Sequence, residues 1–335
     1  MSGANVTIKD VARRANVSVA TVSRALNGHE NVAEAVRGRV LAAASELRYS
    51  PHHAARSLSS RRTNTIGVVL PDLHGEFFSE LMRGIDTVAR ERGLHLLVSS
   101  YHGHPQEQGT ALQAMRGRVD GLLVMSPYVG SAECLADSLS PSLPAVLLNA
   151  HAPVPGMRAL NIDNHGGART MTRHLVDCGY RRIAFIAGPD DNFEAHERQR
   201  GYREALAECL PGVAPWVVPG SFDEASGHRA GLALLAADPR PDAVFAANDM
   251  MALGCLCAFN QAGVAVPDGI ALAGFDDIPL AGYVHPALTT MRVDIAALGA
   301  RAMRMLLDTN PDADTAPVPL GTELVARAST RVDSS

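Results

Sequence analysis

TIKDVARRANVSVATVSRALN, residues 7–27, reads as two short helices with a tight break between them. Thr7 is placed to cap the first, and Asp10 three residues on completes a box-like start. Val11, Ala12 and Ala15 form a small apolar face, and Asn16-Val17 supplies the break. Ser18 caps a second helix on which Val22, Ala25 and Leu26 fall at core-facing spacing. Asn27-Gly28 closes it, since both residues tolerate the left-handed conformation that ends helices. Two short helices with small residues at the crossing are the helix-turn-helix pattern. In that arrangement the second helix enters the major groove and its first residues meet base edges. Ordinary helical hairpins share these features, so the rest of the chain decides between the two.

The length, 335 residues, suggests two or three domains, and a hydrophobic content of 47% is ample for a buried core. The net charge of −5 conceals an asymmetry. Residues 1–62 hold 10 Lys and Arg against 4 Asp and Glu, whereas the remainder holds 20 against 31. A basic head on an acidic body is the footprint of a nucleic-acid module joined to something else. The 5 cysteines are scattered and odd in number. Cys255-Leu256-Cys257 lacks a second ligand pair, and His52-His53 has no further ligands, so no metal site and no cofactor are expected. Reduced thiols, the absence of an apolar signal core and the absence of a membrane-length apolar run lead to an expected cytoplasmic protein.

Beyond Gly28, the spacing of Val36, Val40, Ala43 and Leu47 predicts a third helix over 33–47. Pro51 stops it, and Ser50 caps a short helix over 52–59 with Pro51 at its first position. That segment is too short to be stable alone and needs a partner to order it. Residues 59–64 form a polar linker. From Thr65 the texture changes to alternating strands and helices. Strands are expected at 66–70, 94–99, 119–125, 144–148, 159–162, 183–187, 217–218, 243–246 and 270–273. Helices are expected at 77–92, 107–116, 167–178, 198–209, 225–236 and 250–262. This alternation means parallel sheets covered on both faces, in two similar α/β lobes. Ligands of such sheets bind beyond the carboxyl ends of the strands. Candidates by that rule are Asp72, Phe77, Phe78, Asn192, Arg198, Phe222, Asn248, Asp249, Asp276 and Asp277, the two residues Asp249 and Asp277 being expected to serve structure alone.

Read together, these stretches resemble the lactose-repressor (LacI) family of transcription regulators, and most closely its purine- and galactose-repressor branches. The likeness covers nearly the whole chain. TIKDVARRANVSVATVSRALN matches the family head and YSPHHAARSL its hinge helix. IGVVLPD, VDGLLVM, HLVDCGYRRIAFIAGP, AVFAANDMMALG, GIALAGFDD and HPALTTMRVD follow in family order and spacing. The resemblance implies a helix-turn-helix head over 1–49, a hinge helix and linker over 50–64, and an effector-binding and dimerisation domain over 65–335. That domain resembles a periplasmic binding protein, with an N-lobe at about 65–162 and 293–320 and a C-lobe at about 163–292 and 321–332. It also implies a homodimer on a palindromic double-stranded operator, with hinge helices in the central minor groove. No C-terminal heptads follow, so no tetramer is expected.

By the resemblance, Val19 and Ala20 set operator preference and Arg24 donates to a base edge. Physically, Val19 and Ala20 can offer apolar contact to a thymine methyl, and Arg24 can pair bidentately with guanine. Thr7, Ser18, Thr21, Ser23 and Asn27 have short polar side chains suited to phosphate oxygens, compatible with capping. The family usually has Thr or Ser where Val36 stands, so this chain loses a hydroxyl suited to one phosphate contact. Leu58 matches the family's wedge leucine, which kinks DNA by entering a base step. Ala54 and Ala55 let two hinge helices meet, and Arg56 lies along the groove or backbone. In the body, Arg198, Phe222, Asn248 and Asp276 fall on effector positions, with Asp72, Phe78, Asp163 and Asn192 as further transfers. Asp, Asn and Arg can bond vicinal hydroxyls while an aromatic ring covers a sugar's apolar face. Asn192 and Glu194 differ from the purine-repressor residues, which favours a sugar or sugar phosphate.

Two other classes fit less well. The paired carboxylates Asp190-Asp191 and Asp276-Asp277 hint at glycoside hydrolysis, but they are neighbours at turns. No P-loop, dinucleotide fingerprint or GxSxG elbow is present, and an enzyme would leave the basic head unexplained. A sugar-binding transport protein would share the two-lobed body but would carry a secretory signal in place of the head.

Overall fold

The computed structural model describes residues 6–26, 31–49, 62–128, 131–140, 142–150, 154, 157–308 and 318–330. Compactness divides the chain into two units, 1–63 and 64–335.

The first unit contains helices α1 (Ile8–Ala15), α2 (Val19–Leu26) and α3 (Glu34–Glu46). The capping box forms: the Thr7 N–H donates to the Asp10 carboxylate at 3.0 Å, and the Thr7 hydroxyl donates to it at 2.7 Å. Asn16 turns the chain in the left-handed conformation, φ 50°, which Asn tolerates better than other non-glycine residues. The Val17 N–H then donates to the Ala12 carbonyl at 3.1 Å, and Ser18 Oγ accepts the Thr21 N–H at 3.1 Å to start α2. Val11, Ala12, Ala15, Val22, Ala25, Val40 and Ala43 close a small core. Val36 packs half-buried against it.

The second unit holds two six-stranded sheets. The first contains β1 (Thr65–Leu70), β2 (His95–Ser100), β3 (Gly121–Met125), β4 (Ala145–Leu148), β5 (Arg158–Ile162) and β11 (Val318–Leu320). Their order is β11-β5-β4-β3-β1-β2, all parallel. The second contains β6 (Ile183–Ile186), β7 (Trp216–Val218), β8 (Ala243–Ala246), β9 (Ala271–Asp276), β10 (Thr289–Arg292) and β12 (Glu323–Val325). Its order is β12-β10-β9-β8-β6-β7, parallel except for β12 against β10. β3 and β9 are buried along their whole length, as strands covered by helices on both faces must be.

The covering helices are α4 (Glu76–Glu91), α5 (Pro105–Met115), α6 (Ser131–Ser138) and α11 (Ile295–Leu307) in the first lobe. In the second they are α7 (Asn164–Asp177), α8 (Phe193–Cys209), α9 (Glu224–Leu235) and α10 (Asp249–Gln261). The chain crosses between lobes three times, after β5, after β10 and after β11. In each sheet the strand order reverses beside the first strand of its lobe, between β1 and β3 and between β6 and β8. Loops leaving those strands on opposite sides open a crevice at the carboxyl ends, so the two crevices face each other across the interlobe cleft. Among the described residues, no helix is long and apolar enough to cross a membrane.

Helix α8 starts at Phe193, not near 198 as the apolar periodicity predicted. Asn192 caps it, its Oδ1 accepting the Ala195 N–H at 3.0 Å. The extra turn carries Glu194, which is buried. A buried carboxylate breaks the apolar pattern from which a helix start is read.

Candidate functional site

In the head, Val19, Ala20 and Arg24 are exposed on one side of α2 while Val22 and Ala25 face the core. A valine 40% exposed at a helix start, followed one turn on by a guanidinium, offers the methyl and fork that base edges can read. Thr7 and Ser18 are engaged as caps but remain at the surface, and Ser18 Oγ lies 2.9 Å from Thr21 Oγ1. Ser23 is half-buried. Asn27, Ala55, Arg56 and Leu58, with the expected hinge helix, lie outside the described residues.

In the body, a cavity of about 180 Å³ lies between the lobes. Asp72, Phe77 and Phe78 line it from the first lobe, and Asn192, Arg198, Phe222, Asn248 and Asp276 from the second. These eight expected positions come from seven separated stretches of chain. Asp163 does not join them. Its carboxylate accepts the Gly166 N–H at 2.8 Å, so it caps α7 at a lobe crossing and points its bonding capacity there. Asp249 and Asp277 are held by the fold itself. Asp249 accepts from Thr290 Oγ1 at 2.6 Å and from the Ile278 N–H at 3.0 Å. Asp277 pairs with Arg292 at 2.7 Å and Arg327 at 2.6 Å.

Arg198 organises the floor. Its Nε donates to Asn164 Oδ1 at 2.7 Å and its Nη1 to the Ala247 carbonyl at 2.6 Å. Nη2 lies 3.2 Å from Asp276 Oδ1 and 3.9 Å from Glu194 Oε1. The guanidinium carbon sits 3.9 Å from the Phe275 ring centroid and 5.8 Å from that of Phe222. Glu194 Oε1 also accepts from Asn149 Nδ2 at 2.8 Å and Asn164 Nδ2 at 3.4 Å, and Asn149 belongs to the other lobe. Phe222 and Asp276 are held at φ 64° and 118°, a backbone region that costs non-glycine residues about 1–3 kcal/mol and clusters at functional sites. Gly188 leaves the space the Phe222 ring occupies.

Burial pushes the Asp276 carboxyl up to about 7, with Glu194 adding to the shift and Arg198 opposing it. Burial likewise raises Glu194 against Arg198, Asn164 and Asn149. An acid raised in the folded state keeps a proton that the unfolded chain has released, so it costs stability as pH rises toward its folded value. The melting temperature of Asp276→Asn, compared with the unsubstituted protein at matched pH, should therefore improve from pH 4 to about 7 and then level. A flat difference across that range would contradict the assignment.

The family model for bacterial regulatory proteins of the lacI family matches residues 7–52, and that for a periplasmic binding protein-like domain matches 172–330. The HTH-type transcriptional repressor PurR of Klebsiella pneumoniae (strain 342) is 37% identical over 306 residues, covering 90% of this chain and 89% of PurR. The chain belongs to the LacI family. The HTH-type transcriptional regulator GalR of Salmonella typhimurium (strain SL1344) is likewise 37% identical, over 304 residues, 90% of this chain and 88% of GalR. The crystal structure of the Lac repressor dimer bound to operator and the anti-inducer ONPF matches 98% of this chain and 100% of that one, with TM-score 0.86 and 28% identity.

This LacI-family protein is a DNA-binding transcriptional regulator with a helix-turn-helix head and a two-lobed body. Sequence reasoning left several cleft residues out. His74, Pro127, Tyr128, Pro189, Glu194 and Met250 also line the cavity, while Asn149 and Asn164 hold Glu194 from behind. Tyr128 and Pro127 follow β3, so the strand-end rule could have found them. Nothing local marks Asn149 or Asn164, which reach the network only through the fold.

Proposed function

We propose that this regulator represses a carbohydrate-utilisation operon. In this reading it binds a palindromic operator as a dimer, through the start of α2 and the hinge segment, and a sugar or sugar phosphate in the interlobe cleft controls that binding. The observation that carries the reading is the Arg198 array: a guanidinium, two carboxylates and two carboxamides converge beside the aromatic rings of Phe77, Phe78 and Phe222. Polar groups at fixed points in an otherwise apolar cleft suit a ring with hydroxyls on its edge. The relatives named as repressors, and the Lac repressor bound to its operator, support the DNA half of the reading. The effector acts through its difference in affinity between two lobe arrangements. The ion pair His74–Glu224 (3.0 Å) and the hydrogen bond from the Leu280 N–H to Glu76 (2.8 Å) span the lobes, so they belong to one arrangement and weaken in another.

The test is fluorescence anisotropy of the purified protein on a galactose-repressor-like palindrome and a scrambled duplex, across salt, with and without saccharides. Preference for the palindrome, shifted by one saccharide, is the expected result. Arg24→Ala should weaken palindrome binding by about 10- to 100-fold, the value of one bidentate base contact, and change scrambled binding far less. Equal losses on both duplexes would make Arg24 a phosphate contact.

A further inference from the structure

We infer that the cleft selects a neutral, hydroxyl-donating ligand against an anionic one, and that Glu194 is the residue that sets this selection. The inference rests on the carbohydrate reading above and narrows it, since that reading allowed a phosphorylated sugar.

The floor is short of free positive charge. Arg198 is the cation among the described residues at its centre, and it is buried, with Nε and Nη1 committed to Asn164 and Ala247 and Nη2 turned to Asp276. The phenyl rings of Phe275 and Phe222 lie close to it. His74 at the cavity edge is paired with Glu224. A phosphate entering here would meet a guanidinium already shared by two carboxylates.

The floor is rich in acceptors. Asp276 is 4% exposed and lines the cavity, with Arg198 Nη2 3.2 Å from its Oδ1. Glu194, 6% exposed, accepts from Asn149 and Asn164 on the same oxygen, Oε1. With or without its proton a carboxyl group keeps acceptor capacity, so these groups suit O–H donors. A sugar hydroxyl provides one, whereas a phosphate or carboxylate ligand brings only more acceptors and like charge. Burial raises the proton affinity of both carboxyls, and the desolvation that disfavours their charged forms also disfavours a charged ligand held against them. Of the two carboxamides at the wall, Asn192 and Asn248 give their oxygens to helix starts, and Asn248 Nδ2 donates to the Phe222 carbonyl at 3.0 Å.

Glu194 is the selective element because it is the second carboxylate. With Asp276 alone, Arg198 would be balanced one to one. Glu194 adds a second acidic group beside the one guanidinium, and the amides of Asn149 and Asn164 keep it in place.

The experiment measures binding by calorimetry and thermal shift on the full-length protein. The probes are galactose, glucose and ribose, their terminal phosphates, and inorganic phosphate. The proteins are the unsubstituted chain, Glu194→Gln, and Glu194→Gln with Asp276→Asn. A neutral sugar should bind the unsubstituted protein at least about tenfold tighter than its phosphate, and inorganic phosphate should not stabilise that protein. Loss of Glu194 should raise affinity for the anionic probes by about 10- to 1000-fold, the range in which one close neighbouring charge shifts an ionisation. Should the double variant fail to fold, Glu194→Gln alone carries the comparison. Tighter binding of a sugar phosphate than of its parent sugar overturns the inference while leaving the carbohydrate reading intact. Variants that gain no affinity for inorganic phosphate overturn the role of Glu194. If no sugar or sugar phosphate binds yet the variants gain phosphate affinity, the selection stands and the carbohydrate reading falls.

Discussion

Arg198→Ala should abolish the response to effector while the head keeps its affinity for operator. The side chain bonds three elements of the second lobe at once, through Asn164, Ala247 and Asp276. Its removal leaves Glu194 and Asp276 buried beside each other without a counter-charge. Breaking a buried pair from one side costs about 3–5 kcal/mol, so the melting temperature of the body should fall as well. Lysine should not rescue the site, because a point charge on a flexible stem cannot make the three directed contacts of a planar fork. Calorimetry with the effector and anisotropy on the operator separate the two functions. An Arg198→Ala protein that still releases operator at the usual effector concentration would remove this residue from the site.

Gly84→Val should destabilise the body by more than about 3 kcal/mol, the upper end of ordinary overpacking. Helices α4 and α11 meet backbone to backbone. A Cβ on Gly84 would overlap the Ala296 carbonyl, and one on Gly299 would overlap the Leu81 carbonyl. A neighbouring backbone cannot rotate aside as a flexible side chain can, so the helices must part and uncover Leu81, Ile85, Leu298 and Met303, all fully buried. Thermal or urea unfolding of the full chain reads the effect. A loss below about 1 kcal/mol, the scale of a simple propensity change, would show that the two helices can separate at little cost.

The sequence told most about elements whose local chemistry is complete within a few residues. Thr7, Asp10, Asn16 and Ser18 specify the head almost by themselves, and the structure builds the capping box and the left-handed turn from those residues. The strands of both lobes were legible because a parallel strand buried on two faces is a nearly continuous apolar run. The cleft was legible where polar residues follow strands, which brought out Asp72, Asn192, Asn248 and Asp276. Asp163, put forward from the family resemblance alone, also follows a strand, but at a lobe crossing it meets the start of α7 in place of the cavity. Glu194 escaped for the opposite reason. A buried carboxylate on a helix looks like a solvated one until Asn149, 45 residues away, is seen to hold it. Gly84 carries no local sign in the sequence that another helix enters there.

The threefold passage of the chain between lobes also orders events during synthesis. β11 and β12 supply an edge strand to each sheet and are separated by only two residues. Neither lobe can be completed before the ribosome reaches this last stretch of the chain. Residues 7–49, by contrast, contain every contact of the head's own small core. A nascent chain therefore has its DNA-reading part long before it has a working sensor, and the polypeptide that emerges first is the one no effector can yet control.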